Sequence, residues 1–168
     1  MQMDIFGDAP SADDSLREHW TIFFDGAARG NPGQAGAGFV IMHGQRVIER
    51  AGFFLGTKTN NQAEYLALIL GLCAAQVCIP ADQRLVICGD SQLLVRQFNG
   101  QYRVKNQQLQ HLFRVACLLL DERTHTTFVH ITRDKNSAAD AMANLAIDKK
   151  LTIPPKYMQV LHEHRITI

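Results

Sequence analysis

Along this chain the spacing of apolar positions changes from two to nearly four, and the changes mark out its elements. Trp20, Ile22 and Phe24 alternate with Thr21, Phe23 and Asp25. Both sets are largely apolar, which predicts a strand over 19–25 covered on both faces. Gly36 to Met42 and Arg46 to Leu55 read as two more strands, with His43-Gly44-Gln45 as the turn between them. Short links make the three an antiparallel meander. From Ala63 the period becomes helical, through Leu66, Ala67, Leu70 and Ala74, and Thr59-Asn60-Asn61-Gln62 supplies N-cap candidates ahead of it. Pro80 ends that region. Leu85 to Cys88 is a short buried strand, Gln92 to Phe98 a helix stopped by Asn99-Gly100, and Leu109 to Leu120 a longer helix. Thr127 to Ile131 reads as the last strand and Ser137 to Asp148 as an alanine-rich helix. Strands separated by helices become parallel neighbours through right-handed crossovers. The expected fold class is α/β, a mixed five-stranded sheet of three antiparallel strands and then two parallel ones, with helices on both faces.

The ends differ from this core. Residues 1–18 show no period and carry Asp4, Asp8, Asp13, Asp14 and Glu18 against Arg17, which predicts a flexible acidic leader. Residues 19–150 form the expected catalytic domain. Residues 151–168 read as a C-terminal extension. It opens on Thr152-Ile153-Pro154-Pro155 and then alternates through Val160, His162, His164 and Ile166, so an edge strand and a loose extension both stay open.

Composition narrows the class. A net charge of +1 gives no global basic field, although a local basic groove remains compatible with it. Cys73, Cys78, Cys88 and Cys117 lack metal-site spacing and sit in apolar runs, as reduced core thiols do. The N-terminus has no apolar signal core, and no apolar run is long enough to span a bilayer. A cytoplasmic location and no membrane partner are expected.

The chemistry rests on four acids. Asp25 ends the first predicted strand and Asp90 follows the fourth. If those strands are parallel neighbours, both carboxylates emerge at the edge where open α/β sheets bind ligands. Glu64 and Asp140 fall in the predicted first turns of two helices, where anions are stabilised. Each acid has a local alternative: Glu64 capping with Asn61, Asp140 with Ser137, Asp90 capping the next helix. Around Asp25, Gly26, Gly30 and Gly33 would let a bulky ligand approach closely. Four acids converging on one point repel one another and need cations. Oxygen-only ligands select hard ions such as Mg²⁺ or Mn²⁺. Two such ions roughly 4 Å apart are a standard device for phosphodiester hydrolysis.

Four segments resemble ribonuclease H type 1, in that family's order: Phe24-Asp25-Gly26 with Gly30-Asn31-Pro32-Gly33, Thr59-Asn60-Asn61-Gln62-Ala63-Glu64, Gly89-Asp90-Ser91-Gln92, and Asn136-Ser137-Ala138-Ala139-Asp140. The resemblance runs from Trp20 to Lys149. It implies the ribonuclease H-like fold and an endonuclease that cuts the RNA strand of RNA–DNA hybrids, leaving 3′-hydroxyl and 5′-phosphate ends. It implies two Mg²⁺ ions, with Mn²⁺ as an alternative. Asp25 would bridge them, Asp140 would help hold the ion that activates water, and Glu64 and Asp90 the ion at the leaving oxygen. It places Asn60, Asn61 and Gln92 in the hybrid's minor groove and Thr59 and Asn106 at a DNA phosphate. Asn31 is a further amide beside the acids. Amides both donate and accept, as groove edges and sugar hydroxyls require. A monomer with no obligatory protein partner is expected.

Departures from the family pattern are visible too. Asn99 to Asn106 is short where some relatives carry a basic, Trp-bearing protrusion, and only Arg103 and Lys105 are basic. Fewer phosphate contacts and a shallower salt dependence follow. The acidic leader carries no basic, aromatic hybrid-binding module. The segment Thr132-Arg133-Asp134-Lys135-Asn136 lacks the loop His of the bacterial branch, and His130 falls inside the predicted strand. Arg133 can offer fixed donors to a phosphate oxygen; the alternative is a solvated arginine paired with Asp134 or Glu122. Two other functions compete: a nuclease of related fold acting on DNA junctions or single strands, and a catalytically dead binding module. The amides weigh against the first and the four intact acids against the second.

Overall fold

The structure is a computed structural model and describes residues 19–168; the expected leader, 1–18, lies outside the described residues. Its strands are β1 (Trp20–Gly30), β2 (Gly33–His43), β3 (Arg46–Lys58), β4 (Leu85–Gly89) and β5 (Thr126–His130). The helices are α1 (Asn60–Cys78), α2 (Gln92–Phe98), α3 (Gln107–Leu120), α4 (Ser137–Lys149) and α5 (Pro155–Glu163). They form one five-stranded sheet in the order β3-β2-β1-β4-β5. The β3, β2 and β1 pairings are antiparallel, and β4 joins β1, then β5 joins β4, in parallel. This is the expected mixed sheet.

Period-two alternation assigns the two faces of β2. Ala35, Ala37, Phe39 and Ile41 point to one side, fully buried, and Gly71 of α1 lies against Phe39 and Ile22 there. Gly36 and Gly38 point to the other. A Cβ on either would overlap the backbone of Ala143 or Ala139, so α4 lies directly on the sheet. Helix α1 buries Leu66, Ile69, Leu70 and Leu72 between the sheet and α3. Each such side chain contributes about 1.5–3 kcal/mol. Arg123 closes its far end by donating to the Ala75 and Ile79 carbonyls at 2.9 and 3.1 Å, the first of which also accepts the Ile79 amide. Cys73 and Cys88 are buried thiols, pushed up to about 12 and about 11 by burial, and all four cysteines are free.

Strand and helix ends shift by a few residues from the sequence reading, and three differences matter most. Strand β1 does not end at Asp25; it runs on to Gly30 because β2 keeps pairing with it up to Gly33. Thr59, not Asn61, caps α1: its hydroxyl accepts from the Gln62 amide and Gln62 Oε1 accepts from the Thr59 amide. Glu64 therefore stands in the second turn. The extension is neither an edge strand nor loose. It forms α5, started by Pro155 at its first position and anchored by buried Tyr157, Leu161 and Ile166. No helix among the described residues is long and apolar enough to cross a membrane.

Candidate active site

The site forms where β1 and β4 part. Their parallel pairing ends at Phe23 and Cys88, and Asp25 and Asp90 each lie two residues beyond it. Asp25 thus leaves the ladder on its β4 side while β2 still holds the other. Gly26 brings in the third acid. A Cβ there would overlap the Ala63 carbonyl and the Glu64 amide, so only glycine lets α1 cross β1 this closely. The close approach serves the helix rather than a ligand. Oxygens of Asp25, Glu64 and Asp90 lie within 4.8 Å of one another. Asp140, in the first turn of α4, reaches Asp25 by a side-chain hydrogen bond. All four predicted carboxylates therefore meet, three in a tight group and Asp140 through Asp25.

Burial is the main electrostatic force on the group. Asp25 is 8% exposed. Burial, then the Asp90 charge, the hydrogen bond its protonated form donates to Asp140 and the charges of Asp140 and Glu64 push its carboxyl up to about 8. Burial also pushes Glu64 up to about 7; Ser91 donating to it and the Arg133 charge oppose that, while Asp90 adds to it. Asp90 Oδ2 is buried with no hydrogen-bond partner. Buried anions without compensation are expensive. A hard divalent cation is the partner such oxygens fit, since the donor set is carboxylate alone.

Several flanking residues hold this geometry, and sequence reasoning did not single them out. Asn136, 1% exposed, donates from Nδ2 to the Phe24 carbonyl at 2.9 Å, fastening the start of α4 to β1 beside Asp25. Asn144, one turn after Asp140, donates to its Oδ1 at 3.2 Å. Ser91 caps α2 by accepting from the Leu94 amide at 3.4 Å while serving Glu64. The spacing from 140 to 144 was a readable signal; the link from 136 to 24 was not.

The amides form a rim. Asn60 and Gln92 are exposed first residues of α1 and α2. Asn31 sits at the β1–β2 turn, and its Oδ1 accepts from the Asn60 amide at 3.1 Å, so it supports the rim as well as bordering it. Asn61 and Asn106 line a groove of 570 Å³ with Gln97, Tyr102, Arg103 and Lys105. Asn106 caps α3 through Oδ1, accepting from Leu109 at 3.0 Å, which leaves its Nδ2 free of that bond. Thr59 likewise caps α1 and keeps its hydroxyl proton. Arg133 is 90% exposed, with Nε 3.9 Å from Asp90 Oδ2 rather than beside Asp134 or Glu122. His130, at the end of β5, places Nε2 3.2 Å from the Asp90 carbonyl, closer to the acids than its strand position implied.

The chain is similar to known proteins in sequence and in fold. The family profile described as "Reverse transcriptase-like" matches residues 23–146. Ribonuclease HI of Halobacterium salinarum is 39% identical over 130 residues, 75% of this chain and 63% of that protein. The chain thus spans under two thirds of that relative. Ribonuclease H of Alcanivorax borkumensis is 31% identical over 138 residues, 76% of this chain and 91% of its own. The structure of LC11-RNase H1 in complex with RNA/DNA hybrid superposes with a TM-score of 0.75 at 40% identity, covering 77% of this chain and 97% of that one. With its sheet order, its converging acids and these likenesses, the chain belongs to the ribonuclease H type 1 family.

Proposed function

We propose that this chain is an endonuclease that hydrolyses the RNA strand of RNA–DNA hybrids, leaving 3′-hydroxyl and 5′-phosphate ends. One observation carries the reading: three carboxylates from three elements converge within 4.8 Å, one of them with a buried oxygen that no hydrogen bond satisfies. Asp25, Glu64, Asp90 and Asp140 would hold two Mg²⁺ ions, or Mn²⁺. Bound there, such ions lower the pKa of water and neutralise charge on the phosphate in flight.

The chain's own residues do the rest. Asp25 sits centrally, within 4.8 Å of Glu64 and Asp90 and hydrogen-bonded to Asp140, so it is the natural shared ligand. Asn136 and Asn144 fix where Asp140 stands, and Gly26 fixes Glu64 against Asp25. Asn60, Asn61 and Gln92 present amide edges to the minor groove of the hybrid, with Asn31 bracing Asn60. Thr59 and Asn106 take a phosphate of the DNA strand. Arg133, exposed above Asp90, offers guanidinium donors to a phosphate oxygen. The same reading gives a monomeric cytoplasmic enzyme with no obligatory protein partner. Incubation in Mg²⁺ with labelled hybrid, duplex RNA, duplex DNA and single strands tests it. Cleavage confined to the RNA of the hybrid, with products that ligase joins without prior phosphorylation, is expected. Cutting of duplex DNA, or no cutting of hybrid, contradicts it.

A further inference from the structure

We propose that Lys58 and Arg165 form a second anion subsite, which takes a backbone phosphate of the hybrid's DNA strand next to the one at Thr59 and Asn106. The inference rests on the hybrid-cleavage reading above. It starts from a cavity of 390 Å³ between α1, α3 and the segment after α5, lined by Lys58, Gln62, Gln107, His111, Arg165 and Thr167 among others. No carboxylate among the described residues lines it. Lys58 is half-buried, and burial alone pushes its ammonium below the ordinary value. A lysine desolvated in this way, with no acid among the described residues of the cavity, is a cation that an incoming anion would stabilise.

Arg165 adds an independent observation. Its φ is +57°, a left-handed position at a helix end where glycine is the usual residue. The amide of Ile166 donates to the Leu161 carbonyl at 2.8 Å and closes α5 there. An arginine in this place accepts backbone strain and gains no packing from its exposed side chain. What it gains is a charged fork at the cavity mouth. His111 acts as a strut: its Nε2 bonds the His164 carbonyl at 2.9 Å and ties α3 to the segment carrying Arg165. The cavity adjoins the rim directly, since Lys58 precedes Thr59 and Gln107 follows Asn106. The C-terminal extension thus supplies a phosphate contact that the short, weakly basic segment 99–106 does not.

The test uses the full chain with Arg165→Gly, Arg165→Lys and Lys58→Ala. Glycine suits the left-handed position, so Arg165→Gly melts at or above wild type, which separates binding from folding. Its KM for hybrid rises about three- to tenfold, and the slope of log kcat/KM against log salt becomes shallower by about one. Lys58→Ala does the same, and Arg165→Lys recovers most of the loss. Hybrids with a single uncharged methylphosphonate scanned along the DNA strand locate the contact. One linkage beside the Thr59 position weakens wild type and is silent in Arg165→Gly. Unchanged KM and salt slope, or a methylphosphonate penalty that persists in Arg165→Gly, overturns the subsite. So does an Arg165-dependent melting shift with inorganic phosphate but no change in KM, which marks a free-phosphate site. If wild type cuts no hybrid, the parent reading fails first; if it cuts and Arg165→Gly matches it, only the subsite fails.

Discussion

The acid cluster and the amide rim are built on opposite economies. The carboxylates are pressed together inside the fold, with Asp25 buried and one buried Asp90 oxygen without a hydrogen bond. The rim amides stand at helix starts, exposed, and several already serve as caps or braces. The cluster therefore strains the metal-free fold, while the rim helps support it. Changes in the cluster should raise stability and remove activity. Changes in the rim should leave the fold near neutral and act on substrate binding.

The sharpest break is at Asp25. Asp25→Asn removes the central ligand, and hybrid cleavage falls by about 10³-fold or more, read in single-turnover assays. The metal-free variant melts above wild type at pH 8, because a charge opposed by burial and by three neighbouring acids is gone. Turnover near wild type in a folded variant would contradict the shared-ligand role. Gly26→Ala comes next, as a change beside the cluster with the opposite sign for stability. Its Cβ drives Ala63 and Glu64 away from β1 and costs about 1–3 kcal/mol, read by denaturant titration. Activity falls with the displaced carboxylate; a stable, active variant shows that the close crossing is not needed.

On the rim, Asn60→Ala and Gln92→Ala raise KM by about fivefold to tenfold, with most of the loss at limiting substrate. An unchanged KM with collapsed turnover would move either residue into the chemistry. Arg133→Ala gives the smallest effect, a fall in turnover of about three- to tenfold. His130→Ala removes no titrating step from a pH–rate profile. If instead the His130 variant lost such a step and Arg133→Ala matched wild type, the roles assigned at Asp90 would exchange.

The two regions also differ in how far the sequence discloses them. The acids were legible because each stands at a break in periodicity, and the change of period at Ala63 marks the start of α1 clearly. Their depth was not legible. Asp25 reads as a strand end because the small residues Ala27 and Ala28 look like loop, whereas β2 pairing carries β1 on to Gly30. Glu64 reads one turn early because the cap candidates run from Thr59 to Gln62 and the first of them does the capping. Helix α5 escaped because Val160, His162, His164 and Ile166 mimic a strand, while the residues that bury it, Tyr157 and Leu161, sit one helical turn apart. Asn136 was visible only as a letter in a motif; its bond to the carbonyl of Phe24 spans 112 positions and follows from the tertiary fold.

The central claim, that buried mutual repulsion in the cluster is relieved by a divalent cation, is tested most directly by melting the protein across pH with and without metal. Asp25 and Glu64 are raised in the fold, to about 8 and about 7. Between the ordinary carboxylate range near pH 4 and these values the unfolded chain holds fewer protons than the native one, so stability falls as pH rises through that window. Metal-free wild type is expected to lose stability from pH 5 to pH 8, and millimolar Mg²⁺ or Mn²⁺ to restore it chiefly at the upper end. Asp25→Asn should show a flatter profile and a much smaller metal response. Equal metal responses in wild type and Asp25→Asn, or a wild-type stability that rises steadily to pH 8 without metal, would contradict the account.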